Sequence, residues 1–462
     1  MKVTKIVLAL SVAFSAQAAF AVTDITALPN AVSTENIMYV AGATAQTPGF
    51  GAALKSLCLS TTTSTSTKVF VTLTDGASTP VAVGWKCDVS SLATFPKLTG
   101  VTGPWIVLKS ESSSGDATKT MRQASTTTHI NPASCTLGTA ASNLQSGTCT
   151  INGTLHEDYI GLADVSQKIF QAKGQLASLT SASNTYVEYK TGAGQGFGVV
   201  VSPLLYAELQ LDQNLTSSQI PSISKSQYAS IMSQGAGAWG TLLPTRSTAH
   251  PLIMARRSLS SGTQAAAELF FLGNPCNTGT TLNGSLNALP GDGTGVNYDS
   301  SGSGFTVIQE GATSNVLAAV ASTTDYAIGV VSLENAQPSA ANTWKYVAID
   351  GVFPWNPTGS ALTDTYQKTN VVNGKYAFAY ETYLTKATRT GIASTIRNNI
   401  DDFVNALVGG GTVTSPYMGI GADLDHSYGL YGDPTSAASD QGADTNHYTR
   451  GGNECQTPQL FF

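Results

Sequence analysis

The segment Arg256-Arg257-Ser258-Leu259-Ser260-Ser261-Gly262-Thr263 lies between an apolar run, Pro251 to Ala255, and an Ala/Leu-rich stretch, Gln264 to Leu272. A strand that delivers Ser-Gly-Thr to a helix start leaves several backbone N–H groups without intrahelical partners, and the helix macrodipole adds partial positive charge there. Ser261 and Thr263 carry hydroxyl donors, and Gly262 lets the backbone approach a ligand closely. Arg257, four residues before Ser261, can add charge-assisted bonds. The chemistry such a set supports is capture of a tetrahedral oxyanion. The same residues serve equally well as an ordinary helix cap with a solvated arginine. Three other places end an apolar run in small polar residues: Gly42-Ala43-Thr44, Ser112-Ser113-Ser114-Gly115 and Ala163-Asp164.

These residues need elements to hold them. Ile37 to Val40, Val69 to Leu73, Trp105 to Leu108, Tyr159 to Ala163, Gly196 to Val201, Pro251 to Ala255, Tyr326 to Val331 and Tyr346 to Ile349 read as strands. Helical spacing runs over Thr47 to Leu57, Leu204 to Leu209, Ser224 to Met232, Gln264 to Leu272 and Ala393 to Leu407. Strands alternating with helices predict an α/β fold with mostly parallel sheets, in which ligands bind beyond the carboxyl ends of strands. Residues 116–155, rich in Thr, Ser and Asn, read as a surface insertion. Gly192 to Gly198 precedes a strand and reads as a turn near a hinge rather than a dinucleotide loop.

Taken together and in this order, the four polar strand ends resemble the periplasmic phosphate-binding proteins of ABC-type phosphate importers. Gly42-Ala43-Thr44 resembles the family's first loop, with Ala45 where the family has an aromatic. Ser112-Ser113-Ser114-Gly115 resembles its serine turn, Ile160-Gly161-Leu162-Ala163-Asp164 its acidic strand end, and Arg257 through Thr263 its Arg-x-x-x-Ser-Gly-Thr. The likeness covers roughly residues 37–405. It implies the two-lobed type II periplasmic-binding-protein fold, with the lobes closing on phosphate by a hinge. It also implies a site made of Thr44, Ala45, Ser113, Asp164, Arg257, Ser261, Gly262 and Thr263. Asp164 would then accept the P–OH of HPO4²⁻ or H2PO4⁻ and repel sulfate, which carries no proton at neutral pH. On this reading the first lobe comprises residues 36–190 with a return over 335–420, the second lobe residues 191–334, and the C-terminal extension residues 421–462. The expected partners are the phosphate ion and an ABC-type inner-membrane permease, with the protein itself a monomer and no cofactor. The alternatives are a structural or adhesive protein on the same fold, or a binder of another oxyanion or organic ligand.

Composition narrows the field. At 462 residues the chain has room for about three domain-sized units. Charged residues are 11% of the chain, with 23 basic and 29 acidic, and no Lys/Arg run exists. That argues against nucleic-acid binding and against an anionic membrane surface. Lys2 and Lys5, the apolar run Ile6 to Phe14 and the site Ala19-Phe20-Ala21 read as a secretory signal peptide over residues 1–21. The run is too short to be a membrane span. The mature protein is therefore expected in the periplasm or, alternatively, in the extracellular medium. In an exported chain, six cysteines predict three disulfides. The pairing expected is Cys58–Cys87, Cys135–Cys149 and Cys276–Cys455, each closing the nearest loop or tying down a tail. No C-x-x-C occurs, and no metal is expected. Asp423, Asp425, Asp433, Asp440 and Asp444 offer carboxylates for Ca²⁺ but lack EF-hand spacing. An enzyme is not expected. Ser222-Ile223-Ser224-Lys225 and Lys190-Thr191-Gly192 match motifs of penicillin-recognising enzymes, but in the wrong chain order.

Overall fold

The structure, a computed structural model, describes residues 32–59, 68–78, 80–89, 95, 98, 100–123, 126–138, 143–151, 155–173, 185–234, 239–243, 250, 252–276, 298–299, 305–335, 337–338, 342–355, 369–372, 374–408, 430–431, 448–450 and 453–460. The leader and the five acidic residues of the tail lie outside these residues. The strands are β1 (Ile37–Ala43), β2 (Lys68–Thr74), β3 (Ala82–Val89), β4 (Trp105–Ser112), β5 (Thr136–Leu137), β6 (Leu144–Thr148), β7 (Ile160–Ala163) and β8 (Tyr186–Val201). They continue with β9 (Ser222–Ile223), β10 (Leu252–Arg257), β11 (Tyr298–Asp299), β12 (Phe305–Glu310), β13 (Tyr326–Ser332), β14 (Lys345–Tyr346), β15 (Ala348–Ile349), β16 (Ala379–Ala387), β17 (Leu430–Tyr431), β18 (Tyr448–Thr449) and β19 (Gln459–Leu460).

One order of strands is used twice. In the first half β4, β1, β7, β16 and β8 lie side by side. There β1 is parallel to β4 and β7, and β16 is antiparallel to β7 and β8. In the second half β12, β10, β13, β8 and β14 repeat the pattern, with β10 parallel to its neighbours and β8 antiparallel to β13 and β14. Each half thus runs second, first, third, an antiparallel visitor, fourth. This is the two-lobed type II arrangement, and β8 joins the halves. Its residues Tyr186 to Gly196 pair with β16, and Phe197 to Val201 pair with β13. The insertion adds to the first sheet, since β6 pairs with β2 in parallel and with β5 antiparallel.

Each half has its own apolar core. The first gathers Met38, Val40, Leu54, Trp105, Val107 and Leu162 under the helix Ser394–Val408. That helix buries Ile400, Phe403, Val404 and Leu407 at helical spacing. Trp105 meets Phe403 edge to face at 5.4 Å. The second gathers Val199 to Val201, Met254, Ile328 and Tyr346, together with Ala265 to Ala267. Val165, Ile169 and Phe170, which follow β7, pack into this second core, as do Phe378 to Tyr380. The halves are therefore in close contact around β8.

Gly192 to Gly198 is not a turn but part of β8. Gly196 and Gly198 make room across the strand, and between Lys190 and Gly194 the pairing with β16 shifts register. A Cβ on Gly198 would strike the Tyr346 ring, and one on Gly196 would strike Leu333. The six cysteines form Cys58–Cys87, Cys135–Cys149 and Cys276–Cys455, and among the described residues none is free. Among the described residues no helix is long and apolar enough to cross a membrane.

Candidate functional site

The carboxyl ends of β1, β4 and β7 converge from one half, and the end of β10 comes from the other. Thr44, Ser113 and Asp164 follow the first three strands directly, and Arg257 ends the fourth. Gly42, at the end of β1, has φ +118° and its N–H donates to Ser112 Oγ at 2.9 Å. A side chain there would run into the Leu162 backbone, so only glycine lets β1 and β7 approach this closely.

Asp164 is the hub. Its side chain is 3% exposed, and its backbone N–H donates to Ser114 Oγ at 3.0 Å. Gln46 Nε2 donates to Asp164 Oδ1 at 3.3 Å. Burial pushes the Asp164 carboxyl upward. The hydrogen bonds from Gln46 and Ser114 and the charges of Arg257 and Lys109 pull it part of the way back. Lys109, fully buried, donates to Gly42 O at 3.2 Å and to Glu111 Oε2 at 2.8 Å.

Arg257 faces Asp164 from the other half. It is 9% exposed, and its two terminal nitrogens are taken by Thr313 Oγ1 at 2.7 Å and Gly311 O at 2.9 Å. Those bonds fix the guanidinium plane. Its Nε is buried with no hydrogen-bond partner among the described residues. Burial lowers the pKa of this guanidinium, while Asp164, Glu334 and Glu310 oppose that shift. A buried guanidinium with an idle N–H is a group that gains strongly from an anion.

Ser261 stands at the N-cap position of the helix Gly262–Ala267 without a side-chain capping bond, and Ser261, Gly262 and Thr263 are all buried. The helix start presses on the opposite half. A Cβ on Gly262 would overlap Ser114 Oγ and the Asp164 carboxylate. Gly115 N–H donates to Ser260 O at 2.8 Å across the same junction. The structure thus brings Asp164, Arg257, Ser261, Gly262 and Thr263 to one junction.

The other expected residues are placed differently. Thr44 is exposed and donates to Ser112 O at 3.3 Å, while Ala45 is buried beside it. Ser113 turns to Asp116, donating to Oδ2 at 2.8 Å as the start of the short helix Ser114–Thr118. The serine that meets Asp164 is Ser114, 1% exposed. Gln46, Lys109 and Ser114 were not singled out from the sequence. The signals that point to them are a lysine directly after the apolar run Ile106 to Leu108 and, for Ser114, its place in the turn Ser112-Ser113-Ser114-Gly115; none points to Gln46.

No family model and no curated protein matches the chain. Solved structures do resemble it. One, from Clostridium perfringens, is described as a phosphate ABC transporter substrate-binding protein with bound phosphate. It is 12% identical, with a TM-score of 0.39, covering 80% of this chain and 93% of that one. An ABC-type phosphate transport receptor from Vibrio cholerae is 10% identical at TM-score 0.33, covering 79% and 93%. An ancestral soluble variant of the human phosphate-binding protein is 11% identical at TM-score 0.37, covering 88% and 98%. At these values the likeness is one of distant fold alone.

Proposed function

We propose that this chain captures inorganic phosphate between its two halves. It is not a catalyst: it binds the ion, holds it without covalent change and releases it when the halves part. The observation that carries this reading is the placement of two buried ionisable groups at the junction. A buried carboxylate, Asp164, faces a buried guanidinium, Arg257, whose Nε has no partner among the described residues. The start of the helix Gly262–Ala267 lies against Asp164 and Ser114. Arg257 would supply charge, and Ser114, Ser261, Thr263 and the Gly262 N–H would supply donors. Asp164 would accept a P–OH, which sulfate lacks. Export by the leader read from the sequence, together with the three disulfides, would fit a periplasmic binding protein that delivers its ion to an ABC-type permease.

Two variants test the roles. Arg257→Met should weaken phosphate binding by roughly 2–5 kcal/mol, because it removes one partner of a buried charge pair. Asp164→Asn should admit sulfate, because an amide can donate where a carboxylate cannot. Isothermal titration of folded protein reads both. Phosphate affinity unchanged in Arg257→Met would overturn the assignment. An anion-blind wild type would leave the structural or adhesive reading.

A further inference from the structure

Gln46 lies on the short helix Thr44–Gln46 between β1 and the helix Thr47–Leu59, and it is 5% exposed. It belongs to none of the motifs that suggested the site. Its Nε2 donates to Asp164 Oδ1 at 3.3 Å, and its Oε1 is buried with no hydrogen-bond partner among the described residues. A primary amide carries donors at one end and an acceptor at the other. While Asp164 is ionised, its Oδ1 requires a donor, so the amide cannot be turned the other way. Oε1 is then the end of Gln46 left over, and it sits beside the carboxylate. A buried carbonyl without a donor is unfavourable, so it gains from a ligand that supplies one. Asp164 Oδ2, meanwhile, is turned toward Gly262. The site therefore sets an unpartnered acceptor, Gln46 Oε1, beside the Asp164 carboxylate, whose lone pairs left open by Gln46 and Ser114 can take a further hydrogen from a ligand.

We infer that Gln46 determines specificity at this site by selecting the doubly protonated phosphate monoanion, H2PO4⁻, over HPO4²⁻, with one P–OH for Asp164 and the other for Gln46 Oε1. The inference rests on the phosphate reading above. HPO4²⁻ satisfies only one of the two acceptors and sets an unprotonated oxygen against the other. The charged groups around the pair fit a monoanion. Asp164 feels Lys109 from β4 and Arg257 from β10. Lys109 is in turn paired with Glu111 and feels Asp158, and Arg257 feels Glu310 and Glu334. Both cations are thus partly balanced by other carboxylates before a ligand arrives.

Phosphorus-31 NMR of the full mature chain with substoichiometric phosphate reads the bound ion directly, whatever the protein carboxyls do. From mildly acidic to mildly alkaline pH, the bound resonance should stay at the monoanion position while free phosphate titrates. Affinity should fall about tenfold per pH unit above the ligand's second ionisation. Gln46→Met keeps the volume and removes both amide ends. In that variant the bound ion should shift to the dianion position at alkaline pH, and the slope of affinity with pH should vanish. A bound dianion in the wild type would overturn the inference while leaving phosphate binding intact, and so would a Gln46→Met profile identical to the wild type. The wild-type spectrum decides even if the variant fails to fold. No bound resonance at any pH would overturn the phosphate reading itself.

Discussion

Asp164 and Gly262 show how finely the junction is set. The carboxylate and the helix start are so close that no side chain fits at position 262. Gly262→Ala should therefore hold the halves apart or displace Asp164. Overpacking of this kind costs roughly 1–3 kcal/mol, which would appear as about a fivefold to 150-fold loss of phosphate affinity in a titration. Wild-type affinity in that variant would mean the contact is not needed for binding. At this scale the sequence was legible where chemistry is contiguous: Arg257 through Thr263 lies in one run and arrives at the site as one run. Ser114 was not legible, because three serines stand in a row and a single residue of phase decides which faces Asp164. That phase is set by Ser113 bonding to Asp116. Gln46 was hidden for another reason: its partner is 118 residues away.

At the scale of elements, β8 was read as a glycine turn followed by a short strand because glycine is a poor strand former. The reason for the glycines lies on another element, in the Tyr346 ring and Leu333. The parallel strands and the helix Ser394–Val408 were legible because their apolar patterns are local. The tail shows what pattern cannot reveal. Glu454, 5% exposed, accepts from the Ser166 N–H at 2.8 Å, near the start of the helix Gln167–Ala172. Arg450 donates to Ala377 O and Ala379 O at 3.2 and 3.3 Å, beside β16. Burial raises the Glu454 carboxyl to about 8, and the nearby charges of Glu188 and Glu381 push the same way. An acid raised in the folded state contributes stability that is fully present below its unfolded pKa, about 4.5. That stability is lost as pH rises toward about 8. Glu454→Gln keeps an acceptor for Ser166 and removes the charge. It should flatten the fall in stability across that window, as read by urea unfolding at several pH values. An unchanged slope would show that Glu454 is not the group responsible.

At the scale of the whole molecule, the disulfide Cys276–Cys455 ties this tail to the second half, while Glu454 next door engages the residue that opens the helix after β7. Lys173, at the end of that helix, pairs with Glu268 of the second half at 2.6 Å, with both side chains buried. The tail thus acts as a strap across the two halves. Replacing both Cys276 and Cys455 by Ser should cost on the order of 2–4 kcal/mol of stability. It should also speed amide exchange at Ser166, which the strap covers. Unchanged exchange at Ser166 would mean the strap is held by its other contacts. At the junction of Asp164 and Arg257, phosphate and sulfate would differ by the proton that Asp164 accepts. The most direct test is isothermal titration of refolded, phosphate-stripped mature protein with phosphate and then sulfate at neutral pH. Micromolar or tighter binding of phosphate with no response to sulfate is the predicted result. No heat from phosphate in a folded protein, or equal binding of both anions, would contradict it.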